Sequence, residues 1–362
     1  MSSWTRRDLL RSLGGAGAVA LGGPVLLGAC GGDDDDAATT TTGAPGSSTT
    51  AAAASGDLTS VGLQLSWTHS VQFGGSYLAA ERGYYTQNGL DVALSPGGPN
   101  VAGDAQTVSG QVLMNISGGD GVARSNAEGA KLKVVGVQYQ KAPGTLLSLA
   151  ENPITTPEDL VGKSIGVAGT DTPALDAFAR VNGLAEGDFT KVPSQYDPAE
   201  VVSGNVDCIF CFYNDLPVAL GVQGIEYATL LLSDFGFNPH SQVYTVRAES
   251  LESDERDLII ALLRGEILGW QDYRTDYLEA AQLSVDTYPD AGLDLETQEV
   301  QAEVQLDLMY SELTDENGFA WFTDEGIAEN LELFELLEVD AGGEDMWDRS
   351  LLEEIFADGP TL

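Results

Sequence analysis

The stretch from Leu58 to Asp91 holds the side chains best suited to contact a small organic ligand. It begins with a strand pattern, continues with a loop at residues 67–71 and ends with a helix pattern. An indole ring stacks on flat heterocycles, while imidazole and amide groups form hydrogen bonds. Open α/β sheets bind ligands beyond the carboxyl ends of their strands, so we predict that Trp67, His69 and Gln72 contact a ligand. Core packing of the indole and a structural role for the imidazole are the alternatives.

Further candidates follow other predicted strands. The segment GGD, which ends at Asp120, lies between a buried strand and a helix, and GTDT occupies the corresponding place in the second half. Amides and carboxylates there could face a cleft, and the acidic residues could equally cap the helices. Tyr139 stands at the end of another strand pattern. We predict as additional contacts Gly119, Asp120, Tyr139, Thr170 and Asp171.

The composition is that of a soluble and strongly acidic protein. The 362 residues are enough for two domains with cores of their own. The formal net charge of −40 excludes nucleic acid and anionic lipid surfaces as partners. Such a charge fits either adaptation to high salt or an ordinary solvated acidic surface.

Cys208 and Cys211 have the C-x-x-C spacing of redox and metal sites. They lie in the apolar segment VDCIFCFYN, no second pair accompanies them, and the chain has only two histidines. A free cysteine packs as a small hydrophobic residue. We therefore predict that both thiols are core residues, and we expect neither a metal nor a cofactor.

The first 57 residues predict export and attachment to a membrane. TRRDLL at residues 5–10 resembles a twin-arginine export signal, and the apolar run after it is too short and glycine-rich to span a bilayer. LGAC, ending at Cys30, resembles a bacterial lipobox, in which the cysteine is lipidated. We predict a signal peptide at residues 1–29, a lipid on Cys30 and a disordered linker at residues 30–57. The protein would then be anchored to the outer face of the cell membrane.

From residue 58, strand patterns alternate with helix patterns, which predicts an α/β fold with parallel sheets covered by helices. The turn-rich segment 152–162 predicts a crossing between two lobes, and a strand at 241–246 predicts a return to the first lobe. From Ser253 the pattern is helical. We predict a two-lobed clamp like that of type II periplasmic binding proteins, with hinge crossings and a helical C-terminal part. The predicted lobes are residues 58–150 with 242–362 and residues 151–241.

Three segments resemble one family of proteins. Residues 63–94, LQLSWTHSVQFGGSYLAAERGYYTQNGLDVAL, with PGGPN nearby, resemble the start of substrate-binding proteins of ABC importers. ITTPEDLVGK at 154–163 resembles the inter-lobe signature, and YNDLP at 213–217 resembles a Tyr-Asn-Glu-x-Pro segment with Asp in place of Glu. The branch in question is related to fungal-type thiamine-pyrimidine synthase and includes importer proteins for pyrimidine thiamine precursors and riboflavin. The likeness extends from about residue 58 to residue 290.

The resemblance implies a ligand between Trp67 and Gln72 on one lobe and Tyr213, Asn214 and Asp215 on the other. The Tyr213 ring could stack on the ligand or fill a core. The candidate loops contain carboxylates but no lysine or arginine, whereas sulfonate or nitrate sites use basic side chains or helix N-termini. A carboxylate accepts hydrogen bonds, so an aminopyrimidine or a flavin ring fits better than an oxyanion.

The related synthase raises the possibility of an enzyme. In that family a lysine holds pyridoxal phosphate and a histidine four residues later supplies the pyrimidine, and the corresponding places here hold Ser117 and Gly121. The place of its cysteine-rich iron motif, residues 235–242, contains no cysteine. A Schiff base needs an amine, so we predict a binding protein and not an enzyme.

The resemblance implies partners as well. A monomeric binding protein would deliver its small-molecule ligand to ABC permease and ATPase subunits. A lipoprotein that serves as a sensor input or a surface adhesin is the alternative, and neighbouring permease and ATPase genes would favour import.

Overall fold

The computed structural model describes residues 57–98, 100–168 and 172–362. The predictions for the signal peptide, for the lipid on Cys30, for most of the linker, and for Thr170 and Asp171 fall outside these residues.

The first sheet is mixed rather than parallel. Its strands are β1 (Thr59–Gln64), β2 (Leu90–Ser95), β3 (Met114–Ser117), β4 (Leu132–Tyr139) and β10 (Ser241–Arg247). Their order is β2-β1-β3-β10-β4. β1 is parallel to β2 and β3, whereas β10 is antiparallel to β3 and β4. The antiparallel strand arises because the chain enters this sheet from the opposite end when it returns from the second sheet.

The second sheet repeats this arrangement. Its strands are β5 (Gly144–Leu149), β6 (Ser164–Val167), β7 (Thr190–Pro193), β8 (Cys208–Phe212) and β9 (Tyr227–Leu231), in the order β7-β6-β8-β5-β9. β6 is parallel to β7 and β8, and β5 is antiparallel to β8 and β9. A lobe boundary at residue 150 is therefore misplaced by one strand, because β5 pairs within the second sheet. The chain leaves the first sheet before Gly144 and not within residues 152–162.

Helices cover both sheets and form most of the C-terminal part. In the described residues they are α1 (Gly74–Glu81), α2 (Tyr84–Gln87), α3 (Gly103–Val108), α4 (Gly119–Ala127), α5 (Thr172–Val181), α6 (Ala199–Val202), α7 (Leu216–Val222), α8 (Glu255–Thr287), α9 (Leu295–Met309), α10 (Glu312–Asn317), α11 (Asp324–Leu336) and α12 (Ser350–Ile355). The helical pattern from Ser253 is confirmed, with a kink in α8 where Asp276 has non-helical φ/ψ. A 3₁₀ turn at Glu344–Met346 precedes α12.

A buried carboxylate attaches α8 to the first sheet. Glu266 accepts hydrogen bonds from the Tyr244 hydroxyl at 2.6 Å, the Ser76 hydroxyl at 3.0 Å and the Trp270 indole N–H at 3.3 Å. The Tyr85 hydroxyl is a fourth donor. Because all four donors are neutral, the carboxyl is satisfied by hydrogen bonds rather than by a cation. This network links α8 to β10 and to α1, beside the strands that lead to the cleft described below.

The two thiols of β8 are buried, as the sequence predicted. Cys208 and Cys211 are free cysteines with no exposed surface, and they belong to different apolar clusters. Residues three apart on a strand point to opposite faces, so the pair cannot form a disulfide on this backbone. In the part of the chain that the structure describes, no group of His, Cys, Asp and Glu side chains could hold a metal ion. No helix of that part is long and apolar enough to cross a bilayer.

Candidate ligand-binding cleft

A cavity of about 660 Å³ lies where loops of the two sheets meet. The first sheet contributes the loop after β1, the end of β3 and the start of β10, and the second sheet contributes the loops after β6 and β7 and the end of β8. Its size falls within the range of about 300–1,000 Å³ typical of small-molecule sites. The lining residues are Ser66, Trp67, Gln72, Ser117, Gly118, Ala168, Ser194, Gln195, Tyr196, Phe210, Cys211, Phe212, Asp215, Ser241 and Gln242.

Aromatic rings from both sheets line the cavity. Trp67 follows β1 and Tyr196 follows β7, and their ring centroids are 6.2 Å apart at an interplanar angle of 52°. The Trp67 side chain is 37% exposed, which argues against a core-packing role. Phe210 and Phe212 on β8 add further apolar surface. A flat ring can therefore be held by stacking and edge contacts at this site.

Among the residues that the structure describes, Asp215 is the one carboxylate that lines this cavity, and none of the lining residues in that part of the chain is a lysine, arginine or histidine. It precedes α7 at the N-cap position, yet its side chain does not cap the helix. Its Oδ1 instead accepts a hydrogen bond from Gln301 Nε2 at 3.2 Å. Burial raises the pKa of Asp215, while hydrogen bonds from Tyr196 and Gln301 oppose this increase. A poorly solvated carboxylate without a cation is suited to accept hydrogen bonds from a ligand.

Two lining residues have left-handed backbone conformations that non-glycine residues rarely adopt. Tyr196 has φ 60° and Gln242 has φ 52°. The Gln242 Oε1 accepts a hydrogen bond from the Ser66 hydroxyl at 2.8 Å, which fixes the orientation of the amide. Backbone strain of this kind concentrates at functional sites, where the surrounding structure holds a side chain in place.

Trp67, Gln72 and Asp215 are the sequence-predicted residues that line the main cavity. His69 and Asn214 line a smaller cavity beside it, of about 160 Å³. The His69 ring stacks on Tyr288 with a centroid separation of 3.5 Å, and its Nδ1 lies 3.1 Å from the Tyr77 hydroxyl. Burial lowers the pKa of His69, which favours the neutral ring.

Gly119 and Asp120 do not line either cavity, contrary to the sequence prediction. The Gly119 amide donates to the His240 carbonyl at 2.9 Å. Asp120 forms an ion pair with Arg124 one turn along α4, and it does not cap that helix. Both groups therefore already have partners within the protein.

Tyr139 and Tyr213, which the sequence also predicted as ligand contacts, are absent from both linings. Tyr139 is buried, and its hydroxyl donates to Gln305 Oε1 at 2.7 Å. Tyr213 packs against the core of the first sheet, and its amide donates to the Pro143 carbonyl at 2.7 Å. The tyrosine that lines the cavity from the second sheet is Tyr196.

Sequence reasoning missed Tyr196, Gln242 and Gln301. Tyr196 follows β7 in the same way that Trp67 follows β1. Its position after a predicted strand could therefore have identified it as a candidate contact. Gln298, Gln301 and Gln305 are buried at helical spacing on α9, and a row of amides on a predicted helix was a second signal. No sequence pattern indicates the left-handed backbone conformation of Gln242 within β10.

The chain is similar to known proteins along most of its length. The family model described as NMT1/THI5 like matches residues 70–279, more than half of the chain. The riboflavin-binding protein RibY of Chloroflexus aurantiacus is 28% identical over 73% of this chain and 77% of that protein. The formylaminopyrimidine-binding protein of Halalkalibacterium halodurans is 24% identical over 72% of this chain and 80% of that protein.

A solved structure identifies the fold. The periplasmic aliphatic sulphonate binding protein SsuA of Escherichia coli superposes with a TM-score of 0.61 at 18% identity, over 80% of this chain and 91% of that chain. The two mixed sheets and helical C-terminal part are therefore the fold of a periplasmic binding protein.

We predict that Asp215→Asn stabilises the unliganded protein at neutral pH. The folded pKa of this carboxyl is raised by burial, so its ionisation costs stability as pH increases through the interval between its unfolded and folded pKa values. A neutral amide avoids this cost. The melting temperature of the variant should exceed that of the wild type at pH 7, and the difference should shrink below about pH 3.9, where the carboxyl is protonated in both states.

The matched control is Asp120→Asn, which removes a partly exposed ion pair of small expected value. A lower melting temperature for Asp215→Asn than for Asp120→Asn at pH 7 would contradict the assignment of Asp215 as a destabilising charge.

Proposed function

The chain belongs to the NMT1/THI5-like family, and on that premise we propose that it is an extracytoplasmic solute-binding lipoprotein of an ABC importer. It captures a small nitrogen heterocycle, of the flavin or pyrimidine class, and delivers it to the permease and ATPase subunits. The observation that carries this proposal is a cavity to which the described residues bring aromatic rings from both sheets, the carboxylate of Asp215 and no basic side chain.

Two lobes form the clamp in this proposal. The first lobe consists of the first sheet with the C-terminal helices, and the second lobe consists of the β5–β9 sheet. The chain crosses between them after β4 and again before β10. Hinge motion at these two crossings would open and close the cavity around the ligand.

The chemistry of the cavity favours a ring that donates hydrogen bonds. Trp67 and Tyr196 are placed to contact the faces or edges of a flat ring, and Asp215 is placed to accept from a ring or amino N–H. Riboflavin and formylaminopyrimidine both carry such N–H groups. The names of the two curated relatives support the same two ligand classes.

A sulfonate or nitrate ligand is disfavoured by charge. An oxyanion would meet Asp215 in a cavity without a basic side chain. The N-terminus of α4 lies near the cavity at Gly118, and Asp120 adds a negative charge to its first turn, which disfavours an anion there. The resemblance to SsuA concerns the fold and does not identify a ligand.

Binding rather than catalysis is the proposed role. A covalent mechanism of the synthase type requires an amine, and the cavity lining contains no lysine. Ser117, at the place of the lysine in that family, offers a hydroxyl to the cavity instead.

A ligand panel tests the proposal. The full chain, purified in detergent, should bind riboflavin or formylaminopyrimidine with a Kd of about 1 µM or tighter by calorimetry. Taurine and nitrate should give no heat of binding. Tight binding of either anion, with no binding of the two heterocycles, would contradict the proposed ligand class.

Trp67→Ala should weaken binding of the heterocycle by about tenfold or more, because a stacking contact is lost. Its melting temperature should change by less than about 2 °C, since the ring is one-third exposed. Tyr227→Ala is the matched control: this aromatic residue is also 37% exposed and lies outside the cavity. A large loss of stability in Trp67→Ala with unchanged affinity would assign the indole to the core.

The lipid anchor is the second part of the proposal. It is supported by the order of paired arginines, apolar run and small residues before Cys30. The wild-type chain, expressed in a bacterium, should fractionate with membranes and carry a diacylglycerol mass on its N-terminal peptide. Cys30→Ser should lack this mass and lose membrane association, and a wild-type chain without the mass would exclude lipidation.

A further inference from the structure

The smaller cavity of about 160 Å³ adjoins the main cavity. The two share Trp67, Gln72 and Asp215 as lining residues. A ligand whose ring lies beside Asp215 is therefore next to a second compartment, and any substituent that extends past Gln72 would enter it.

The two cavities differ in chemistry. The main cavity has rings from both sheets, whereas the smaller one has no aromatic ring apart from Trp67 and His69. Amide side chains are prominent in its lining: Gln72, Asn214, Gln298 and Gln301. Amides donate and accept hydrogen bonds without carrying charge, which suits a neutral group rich in hydroxyls.

Asn214 lines the smaller cavity and holds an unpaired acceptor that water does not reach in the unliganded protein. It is 4% exposed, and both hydrogens of its Nδ2 have acceptors, Gln305 Oε1 at 3.2 Å and the Tyr139 hydroxyl at 3.4 Å. Its Oδ1 is buried and has no hydrogen-bond partner among the described residues. An unpaired buried oxygen lowers the stability of the protein. A ligand hydroxyl that donates to this oxygen would therefore add more binding free energy than a hydrogen bond at an exposed site.

Gln298 and Gln301 have fixed orientations and spare donors. Gln298 Oε1 accepts from the Val71 amide at 2.7 Å, and its Nε2 donates to Gln301 Oε1 at 2.7 Å. Gln301 Nε2 then donates to Asp215. This chain uses one hydrogen of each Nε2, so each amide retains one N–H for another acceptor.

We propose that the smaller cavity binds a hydroxylated carbon chain attached to the ring in the main cavity. This inference rests on the function proposed above and narrows its ligand class, from heterocycles in general to a heterocycle that carries a polyol. Each hydroxyl of such a chain donates and accepts, so it can donate to Asn214 Oδ1 and accept from the amides of Gln298 and Gln301. A pyrimidine without a polyol leaves these groups unsatisfied.

Two flavins that differ only in this chain provide the test. Riboflavin carries a ribityl chain on its ring system, and lumiflavin carries a methyl group at the same position. Titration of the full chain, followed by flavin fluorescence, should give an affinity for riboflavin at least about tenfold higher than that for lumiflavin, as expected for two or three additional hydrogen bonds.

Filling the smaller cavity should remove this preference. Ala291→Trp adds bulk to the cavity lining at an exposed turn and removes no hydrogen bond of the network. It should weaken riboflavin binding by about tenfold and leave lumiflavin binding within about twofold. Ala127→Trp is the matched control, because Ala127 is an exposed residue at the far end of α4 and should alter neither affinity. Asn214→Leu, which removes the unpaired oxygen at similar volume, should show the same selective loss independently of the bulky substitution.

The outcomes separate the polyol site from the proposed function. Equal affinity for the two flavins, or equal losses for both flavins in Ala291→Trp and Asn214→Leu, would overturn the polyol site and leave a heterocycle binder. Binding of formylaminopyrimidine without either flavin would do the same. Failure of all three heterocycles to bind would overturn both proposals.

Discussion

A carboxylate held between two sheets without a positive partner determines what this cleft can bind. Asp215 is largely removed from water, and its neighbours in the fold are the neutral donors Tyr196 and Gln301. A buried anion that lacks a cation is costly, and hydrogen bonds from neutral groups offset only part of that cost. The remaining capacity of the carboxylate to accept hydrogen bonds is available to a ligand.

The fold brings residues from distant parts of the chain close to the Asp215 carboxylate. Trp67 comes from the loop after β1, Tyr196 from the loop after β7 and Gln301 from the C-terminal helix α9. The hydrogen-bonded row from Val71 through Gln298 and Gln301 joins the β1 loop to Asp215. One row of amides on α9 thus sets the distance between the two sides of the cleft and lines the smaller cavity.

The sequence predicted this cleft only in part, for identifiable physical reasons. Alternating strand and helix patterns predicted two α/β units, and the strand that returns at residue 241 was recognised. Trp67 and Asp215, which line the cavity, were both among the predicted contacts: Trp67 because it follows a predicted strand, and Asp215 because YNDLP resembles a family segment. Register and sheet membership are not local: β5 was assigned to the wrong side because antiparallel pairing with β8 and β9 depends on residues more than 50 positions away. Tyr213 was predicted and Tyr196 was missed, since the sequence does not reveal which ring turns toward a core.

The hydrogen bond from a ring N–H to Asp215 is the central claim, and a chemical double-mutant cycle tests it most directly. Affinities for riboflavin and for its N3-methyl derivative, which lacks the ring N–H, would be measured for the wild type and for Asp215→Asn. The account predicts that methylation weakens binding to the wild type by about tenfold or more and has a much smaller effect on the variant. Equal losses for the two proteins would show that Asp215 does not accept the ring N–H, and would contradict the account.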